Sequence, residues 1–398
     1  MRFRFISGLT VCWLSFGCDP SSDSPHRDHD AAITMDAGSF RTDASIDAGT
    51  SLDGAGPMSN DGGGSLLPDA EFYGELPATG WPDCDPLPSE WLFKTLLQAS
   101  DYGPDAAFVA LSGPHVLVTG GSGDQVLTLP AEQGAPVHSP LPSGVKGTAI
   151  ADAHDSSSAI YVLSCNEAGG SCSVLHAAAA GQSLTALPGG TLPAAFVGRG
   201  LSALQGNLCA FGSGALCLRD QSWVSVIDDP APVGGKGLPD RVVGMALGEA
   251  MSLAISLYGK VWYGTRSAVD ASVAFAEVAP ASVGPLLYVT ASGREAFVTS
   301  NGFVLAWVAG ALHYVSTPFI KTAWLEFDGT EAALLTFTGA VVNRRSRGAK
   351  PYWCKTQQIA VPTLNGLLAS GSNPCGLASN FRFLTSERLV GQNLCVLD

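Results

Sequence analysis

Ala107-Phe108-Val109-Ala110-Leu111 runs through Ser112-Gly113-Pro114 into His115-Val116-Leu117-Val118-Thr119, and then into Gln125-Val126-Leu127-Thr128-Leu129. Each apolar run is short and is cut by Gly, Pro, Ser or Asp. That is the pattern of strands joined by tight turns. About forty-five residues on, the pattern returns as Gly147–Ala151, Ala159-Ile160-Tyr161-Val162-Leu163 and Cys172-Ser173-Val174-Leu175. A third unit holds Leu201–Leu204, Leu208–Phe211, Ala215–Leu218 and Trp223–Val226. The fourth, fifth and sixth units occupy residues 242–278, 286–316 and 322–357, and a last one, from Phe381 to Val396, has room for two or three strands.

A period of roughly 40–50 residues with up to four strands per unit is the arithmetic of an all-β β-propeller, in which each blade is a four-stranded sheet. Residues 71–398 are expected to form one such domain with seven blades, six or eight being the alternatives; a pair of β-sandwiches or an irregular all-β fold is the competing architecture. Blades crowd toward the axis, so small-residue runs such as Gly147–Ala151 and Gly244–Leu247 are expected inside. Larger residues such as Trp223 and Tyr314 are expected on outer strands. A strand from the N-terminal side of the body should complete the short last blade, which removes an open edge. Helical spacing occurs around Trp91–Ala99, with Ser89 as its cap.

Ahead of this body, Arg2 and Arg4 precede a twelve-residue apolar stretch, Phe5 to Phe16, and then Gly17-Cys18. Crossing a bilayer takes roughly 20 apolar residues, so the stretch reads as an export signal over residues 1–17. Gly17-Cys18 resembles the cleavage and lipidation box of bacterial envelope lipoproteins, departing from it at Phe16, where that family has a small residue. The resemblance implies that Cys18 carries a lipid, with the protein exported and anchored in the cell envelope, periplasmic or surface-exposed. The membrane would be engaged through that anchor alone. Residues 18–70 then read as a disordered acidic tether: residues 19–70 hold ten Asp against Arg27 and Arg41, with little to bury. A chain of that length would hold the body roughly 40 Å from its anchor.

The formal charge of the whole chain is −14; the signal carries +2 and the tether −8, which leaves −8 on the body. Nucleic acid is excluded as a partner on that balance, because phosphate backbones need a basic track. Only 14% of residues are charged and 47 of 398 are Gly, which indicates a neutral, polar surface rather than charge-laced helices.

Beyond Cys12 and Cys18 eight cysteines remain, an even set that reads as disulfides in an oxidising compartment. Cys165 with Cys172 and Cys209 with Cys217 each flank a Gly-containing turn of one hairpin, where Cβ atoms approach bonding distance. The other four leave three pairings open from sequence. The favoured one is Cys84–Cys395, joining the ends of the body, with Cys354–Cys375. Zinc is disfavoured because no compact Cys-x-x-Cys is present.

Chemistry is sparse. Asp152, His154 and Asp155 form the one His/Asp cluster, and strand alternation puts Asp152 and His154 on one side; Asp155-Ser156-Ser157-Ser158 reads equally as a turn. His115 and His313 read as packed or surface strand residues. No nucleotide, zinc-protease or nucleophile-elbow motif occurs, and no metal or cofactor is expected. Gly200–Asp220 and Gly248–Thr265 resemble hairpins of chromosome-condensation-regulator-type repeats, which pair an alanine–leucine step with a later Gly-x-Val-Trp. Ala203-Leu204 supplies the first element, and Gly259-Lys260-Val261-Trp262 the second after a reversed Leu253-Ala254. The resemblance covers about forty residues, lacks the trailing Trp-Gly at most units, and assigns no function.

Two surfaces are candidates for binding. Arg344, Arg345, Arg347, Lys350 and Lys355 crowd beside Tyr352 and Trp353, where aromatics could stack on a ligand held by the charges. The other is the channel mouth, expected at Ser122–Asp124, Asn166–Gly170 and Ser292–Glu295. The reading preferred is a cell-envelope lipoprotein that binds an envelope protein or glycan, or acts structurally, without catalysis. The rival is a glycan-active hydrolase or lyase with carboxylates drawn from Asp152, Asp155, Glu295, Glu326 and Asp328 on propeller loops.

Overall fold

The computed structural model describes residues 83–85 and 93–392, apart from 122, 131–133, 154–158, 167–170, 229–239, 250, 268–271, 279–285, 293–294, 301–302, 309–310, 315–321, 328–331, 337–339, 348–349, 359–366, 372–379 and 385–386. The signal, Cys18 and the tether lie outside the described residues.

These residues form seven four-stranded antiparallel sheets. Six are simple meanders in chain order, spanning residues 107–140, 149–191, 198–227, 242–278, 286–314 and 322–358. We number them blades 1 to 6 and letter their strands a to d outward from the axis. The innermost strands touch their neighbours in a closed cycle, Ala107–Ser112 through each blade in turn to Leu367–Gly371 and back. This is the β-propeller read from the sequence. The small-residue runs take the inner positions, Ala149–Asp152 and Val242–Leu247, while Trp223 and Tyr314 lie on outermost strands.

Blade 7 closes the ring. Its strands in spatial order are Leu367–Gly371, Asn380–Leu384, Arg388–Gln392 and, outermost, Phe93–Gln98 from the other end of the body. The helix expected over Trp91–Ala99 is therefore corrected. Phe93–Gln98 is a strand paired with Arg388–Gln392, and a 3-10 turn, Ala99–Tyr102, follows it. The open edge of Arg388–Gln392 offers a full ladder of hydrogen bonds, which outweighs a weak helical preference.

Among the described residues no single core fills the ring. Apolar slabs lie between neighbouring blades: Phe108, Val116 and Leu127 pack with Leu384 and Leu389 across blades 7 and 1, and Leu117, Val126 and Ile150 pack with Val162 across blades 1 and 2. Both faces of a middle strand are covered in this way. Val116, Leu117 and Val118 are consequently all fully buried, and the run reads as continuously apolar rather than alternating. Outer strands such as Val137–Pro140 are mostly exposed and read as polar.

Five inner strands carry a register shift near their start, against the second strand of the blade. The extra residues are Val109, Arg199, Val243, Leu287 and Ala323. A bulge locally shifts the strand, and the shift recurs where these inner strands begin.

Three disulfides are described. Cys165–Cys172 and Cys209–Cys217 join directly opposed residues of the b–c hairpins in blades 2 and 3. The third is Cys84–Cys354, which replaces both Cys84–Cys395 and Cys354–Cys375. The reason lies in the path of the chain. Cys84 N donates to Lys355 O at 3.0 Å, so the segment before the closing strand runs along the outer edge of blade 6, beside Cys354. Cys375 and Cys395 lie outside the described residues.

Candidate functional site

Each inner strand begins at one face of the ring, here the leading face, which also carries the b–c turns. It ends at the opposite, trailing face, with the a–b turns. The expected channel mouth is thereby divided: Ser122–Asp124 and Asn166–Gly170 fall at b–c turns, whereas Ser292–Glu295 joins strands a and b of blade 5 at the trailing face.

The trailing face holds the residue singled out for chemistry. Asp152 ends the inner strand of blade 2 and is buried. Its backbone N donates to Ser112 Oγ of blade 1 at 3.0 Å, and its Oδ1 lies 3.8 Å from His115 Nε2. His115 Nδ1 is in turn 2.9 Å from Thr128 Oγ1, its cross-strand partner. The carboxylate reaches this position because Gly113, at φ +53°, lacks a Cβ where Asp152 Oδ2 sits. A hydroxyl, an imidazole and a carboxylate thus come together, but inside the joint between two blades. His154 and Asp155 lie outside the described residues.

The same face is stitched further around the ring. Arg382 of blade 7 donates from Nη1 to Gly113 O of blade 1 at 2.8 Å. Arg382 is buried, its Nε has no partner among the described residues, and desolvation lowers its pKa to about 10. Gln205 N of blade 3 donates to Ala153 O of blade 2, and Gln205 Nε2 to Glu249 Oε1 of blade 4. Arg266 closes that group by donating to Gln205 Oε1 at 2.8 Å. Hydrogen bonds here, most of them from polar side chains, join blades 7, 1, 2, 3 and 4.

The leading face differs. In blade 3, Val197 N donates to Ser213 Oγ at 3.2 Å and Ser213 N donates to Val197 O at 3.1 Å. In blade 4, the fully buried Asp240 accepts from Arg241 N at 2.8 Å and Tyr258 N at 3.3 Å, while Leu257 N donates to Arg241 O at 3.0 Å. Both segments are clamped to their b–c turns, which fixes the backbones that carry Arg199 and Arg241. Arg199 is exposed and Arg241 half-buried. Neither guanidinium makes a hydrogen bond or ion pair among the described residues. Desolvation by the surrounding protein lowers the pKa of Arg199, and the charge of Arg241 lowers it further. Beside them Val197 is 40% exposed and Tyr258 37%, two of the four large apolar side chains on the described surface.

The basic run fares differently from the expectation. Arg344, Arg345 and Arg347 pair in register with Trp353, Tyr352 and Lys350 across the last hairpin of blade 6. Trp353 is 4% exposed and meets Phe297 of blade 5 edge-on at 6.5 Å, so its ring is core rather than a stacking surface. Lys355 Nζ lies 3.3 Å from Asp83, next to the disulfide. The side chains of Arg344, Arg345, Arg347, Lys350 and Tyr352 lie outside the described residues, as do the carboxylates of Glu295 and Glu326 and the whole of Asp328. Among the described residues no three His, Cys, Asp or Glu side chains converge as metal ligands.

Sequence reading missed Arg199, Arg241 and Arg382. Arg199 and Arg241 look like isolated charges along the chain. Aligning the units on the starts of their inner strands would have brought the two together on neighbouring blades.

No family model and no curated protein matches the chain. Solved structures match its fold. One described as YCF48 bound to D1 peptide is 13% identical, with TM-score 0.51, over 80% of this chain and 99% of that one. The WD40 repeats of RRP9 are 12% identical, with TM-score 0.53, over 78% and 99%. A Bacteroides uniformis protein provisionally named a 6-phosphogluconolactonase is 14% identical, with TM-score 0.50, over 70% and 88%. At such identities the likeness establishes a β-propeller architecture.

Proposed function

We propose that the chain is an exported, lipid-anchored propeller of the bacterial cell envelope that binds a protein partner on one face of its ring. The observation that carries this reading is the contrast between the two faces. At the trailing face the polar groups join blade to blade, whereas at the leading face two arginines have no partner among the described residues and stand near exposed Val197 and Tyr258. The YCF48 structure, with its D1 peptide, supports the reading by showing a ring of similar architecture in complex with a peptide. The apolar signal over residues 1–17, Cys18 and the acidic tether over 18–70 support delivery to the envelope and presentation at a distance from the membrane.

The rival reading, a glycan hydrolase or lyase, needs two carboxylates about 5–9 Å apart in an open cleft. Asp152 is buried in a joint between blades, which argues against it as one of them. The test has two parts. Incorporation of an alkyne-bearing fatty acid should be lost in Cys18→Ser. A photoreactive residue in place of Tyr258 should crosslink to a protein in intact envelopes, while one in place of Val137, on the outer strand of blade 1, should not. Cleavage of an envelope glycan by the purified chain, abolished in Asp152→Asn and with no crosslink from Tyr258, would overturn the proposal.

A further inference from the structure

The geometry points to an acidic segment of a partner protein as the occupant of the leading face between blades 3 and 4. Its carboxylate would be held by Arg199 and Arg241 together, and a neighbouring apolar side chain would rest on Tyr258 and Val197. This inference rests on the reading of the chain as a protein-binding module.

Four observations carry it. First, Arg199 lies at the start of the inner strand Gly198–Leu204 and Arg241 directly precedes the touching inner strand Val242–Leu247, so both leave the ring at the leading face of neighbouring blades, close enough for the charge of Arg241 to act on Arg199, and neither has a counter-ion among the described residues. Like charges brought together repel, and a carboxylate placed between them removes that repulsion while accepting charge-assisted hydrogen bonds from both. Second, their backbones are already fixed by the hydrogen bonds from Ser213, Leu257 and Tyr258 and by the buried Asp240. A preorganised site loses little entropy on binding.

Third, the segments that carry the charges also expose two large apolar side chains, Val197 and Tyr258. A phosphate or sulfate would use only the arginines, and a sugar would find no hydrogen-bonding group on Val197. A peptide carrying an acidic residue beside an aliphatic one uses both. Fourth, the body as a whole is acidic, carrying −8 of the total −14, so two neighbouring arginines stand out against its net charge. An acidic segment is therefore repelled elsewhere and attracted here, which sets orientation as well as affinity. The bulge at Arg199 serves this arrangement, because the extra residue aims its side chain differently from those of the regular strand.

The experiment uses the full chain in detergent and a fluorescein-labelled Glu-Leu-Glu-Leu-Glu-Leu-Glu peptide at low ionic strength. The peptide should bind, and affinity should fall with added salt. The Gln-for-Glu version should bind at least tenfold more weakly. Arg199→Gln with Arg241→Gln should weaken the acidic peptide at least tenfold, and Tyr258→Ala severalfold. Lys94→Gln, an exposed change on the closing strand, should leave binding unchanged. Thermal midpoints of all variants are measured alongside, since these positions are on or near the surface. Equal binding by the double arginine variant overturns the inference, as does displacement by inorganic phosphate at a concentration where sodium chloride of equal ionic strength has no effect. Absence of peptide binding with the Tyr258 crosslink intact removes only this inference; loss of both removes the protein-binding reading as well.

Discussion

Cys84 and Cys354 are bonded across 270 residues, which ties the segment entering the closing strand to the outer edge of the neighbouring blade. Phe93–Gln98 is held in blade 7 by its ladder to Arg388–Gln392 and by Leu97 in the adjoining apolar slab. A pull on the N-terminal side would peel that edge strand first. The disulfide takes the load into blade 6 instead.

The first prediction follows from loop length. Closing a loop of 270 residues is worth about 5–6 kcal/mol in the chain-entropy model, against about 2–3 kcal/mol for the short loops closed by Cys165–Cys172 and Cys209–Cys217. Cys84→Ser with Cys354→Ser should lower the denaturant midpoint more than either short-loop pair replaced alone. Amide exchange in Phe93–Gln98 should also quicken selectively. Equal losses from all three pairs would show that the long bond is not a ring closure.

A second prediction concerns Gly113→Ala. The residue has φ +53°, and its new methyl would land on Asp152 Oδ2. A left-handed conformation costs an L-residue roughly 1–2 kcal/mol, and displacing Asp152 disturbs its contacts with Ser112 and His115 as well. The expected loss is about 2–4 kcal/mol in chemical denaturation. Combining it with Asp152→Ala should recover part of that loss, because the methyl then has room. Strict additivity of the two changes would refute the packing argument.

The units were legible in the sequence because a propeller buries both faces of its middle strands. Val116-Leu117-Val118 and Leu253-Ala254-Ile255 stay apolar without alternation, and turn residues cut them at regular intervals. The closing strand was not legible as a strand. Its pairing depends on Arg388–Gln392 at the far end of the chain, while its local spacing fits a helix. Asp152 could be recognised as a chemical group, but its surroundings come from Ser112, Gly113 and His115 one blade earlier. Trp353 sits among basic residues and reads as surface; only its neighbour Phe297, from another blade, makes it core.

A third prediction is a pH dependence set by His176, whose ring meets that of Tyr161 at a tilt, 5.2 Å between centroids, in blade 2. Partial burial lowers its pKa from the ordinary 6.5. The unfolded chain therefore binds this proton more readily than the folded one. The contribution of His176 is complete above 6.5 and is lost as pH falls below 6.5 through the lower folded value. His176→Gln should flatten the fall in thermal midpoint over that window. If wild type and variant fall in parallel, another group governs the acid limb.

The last prediction separates the charge of Arg382 from its volume. The guanidinium is buried, donates to Gly113 O, its one hydrogen bond among the described residues, and has its pKa lowered to about 10 by desolvation. It is still protonated at neutral pH, so the fold carries a desolvation cost that no carboxylate among the described residues offsets. Arg382→Met keeps much of the length and removes that cost, but leaves the carbonyl of Gly113 without its donor. The two effects oppose each other, and the net change should stay within about 1–2 kcal/mol. Arg382→Ala loses the same bond and also opens a void between blades 7 and 1, so it should cost about 2–4 kcal/mol. Urea denaturation of both variants decides the matter. A Met variant as damaged as the Ala variant would mean that the charge itself holds the ring closed, through Gly113, where the first and last blades meet.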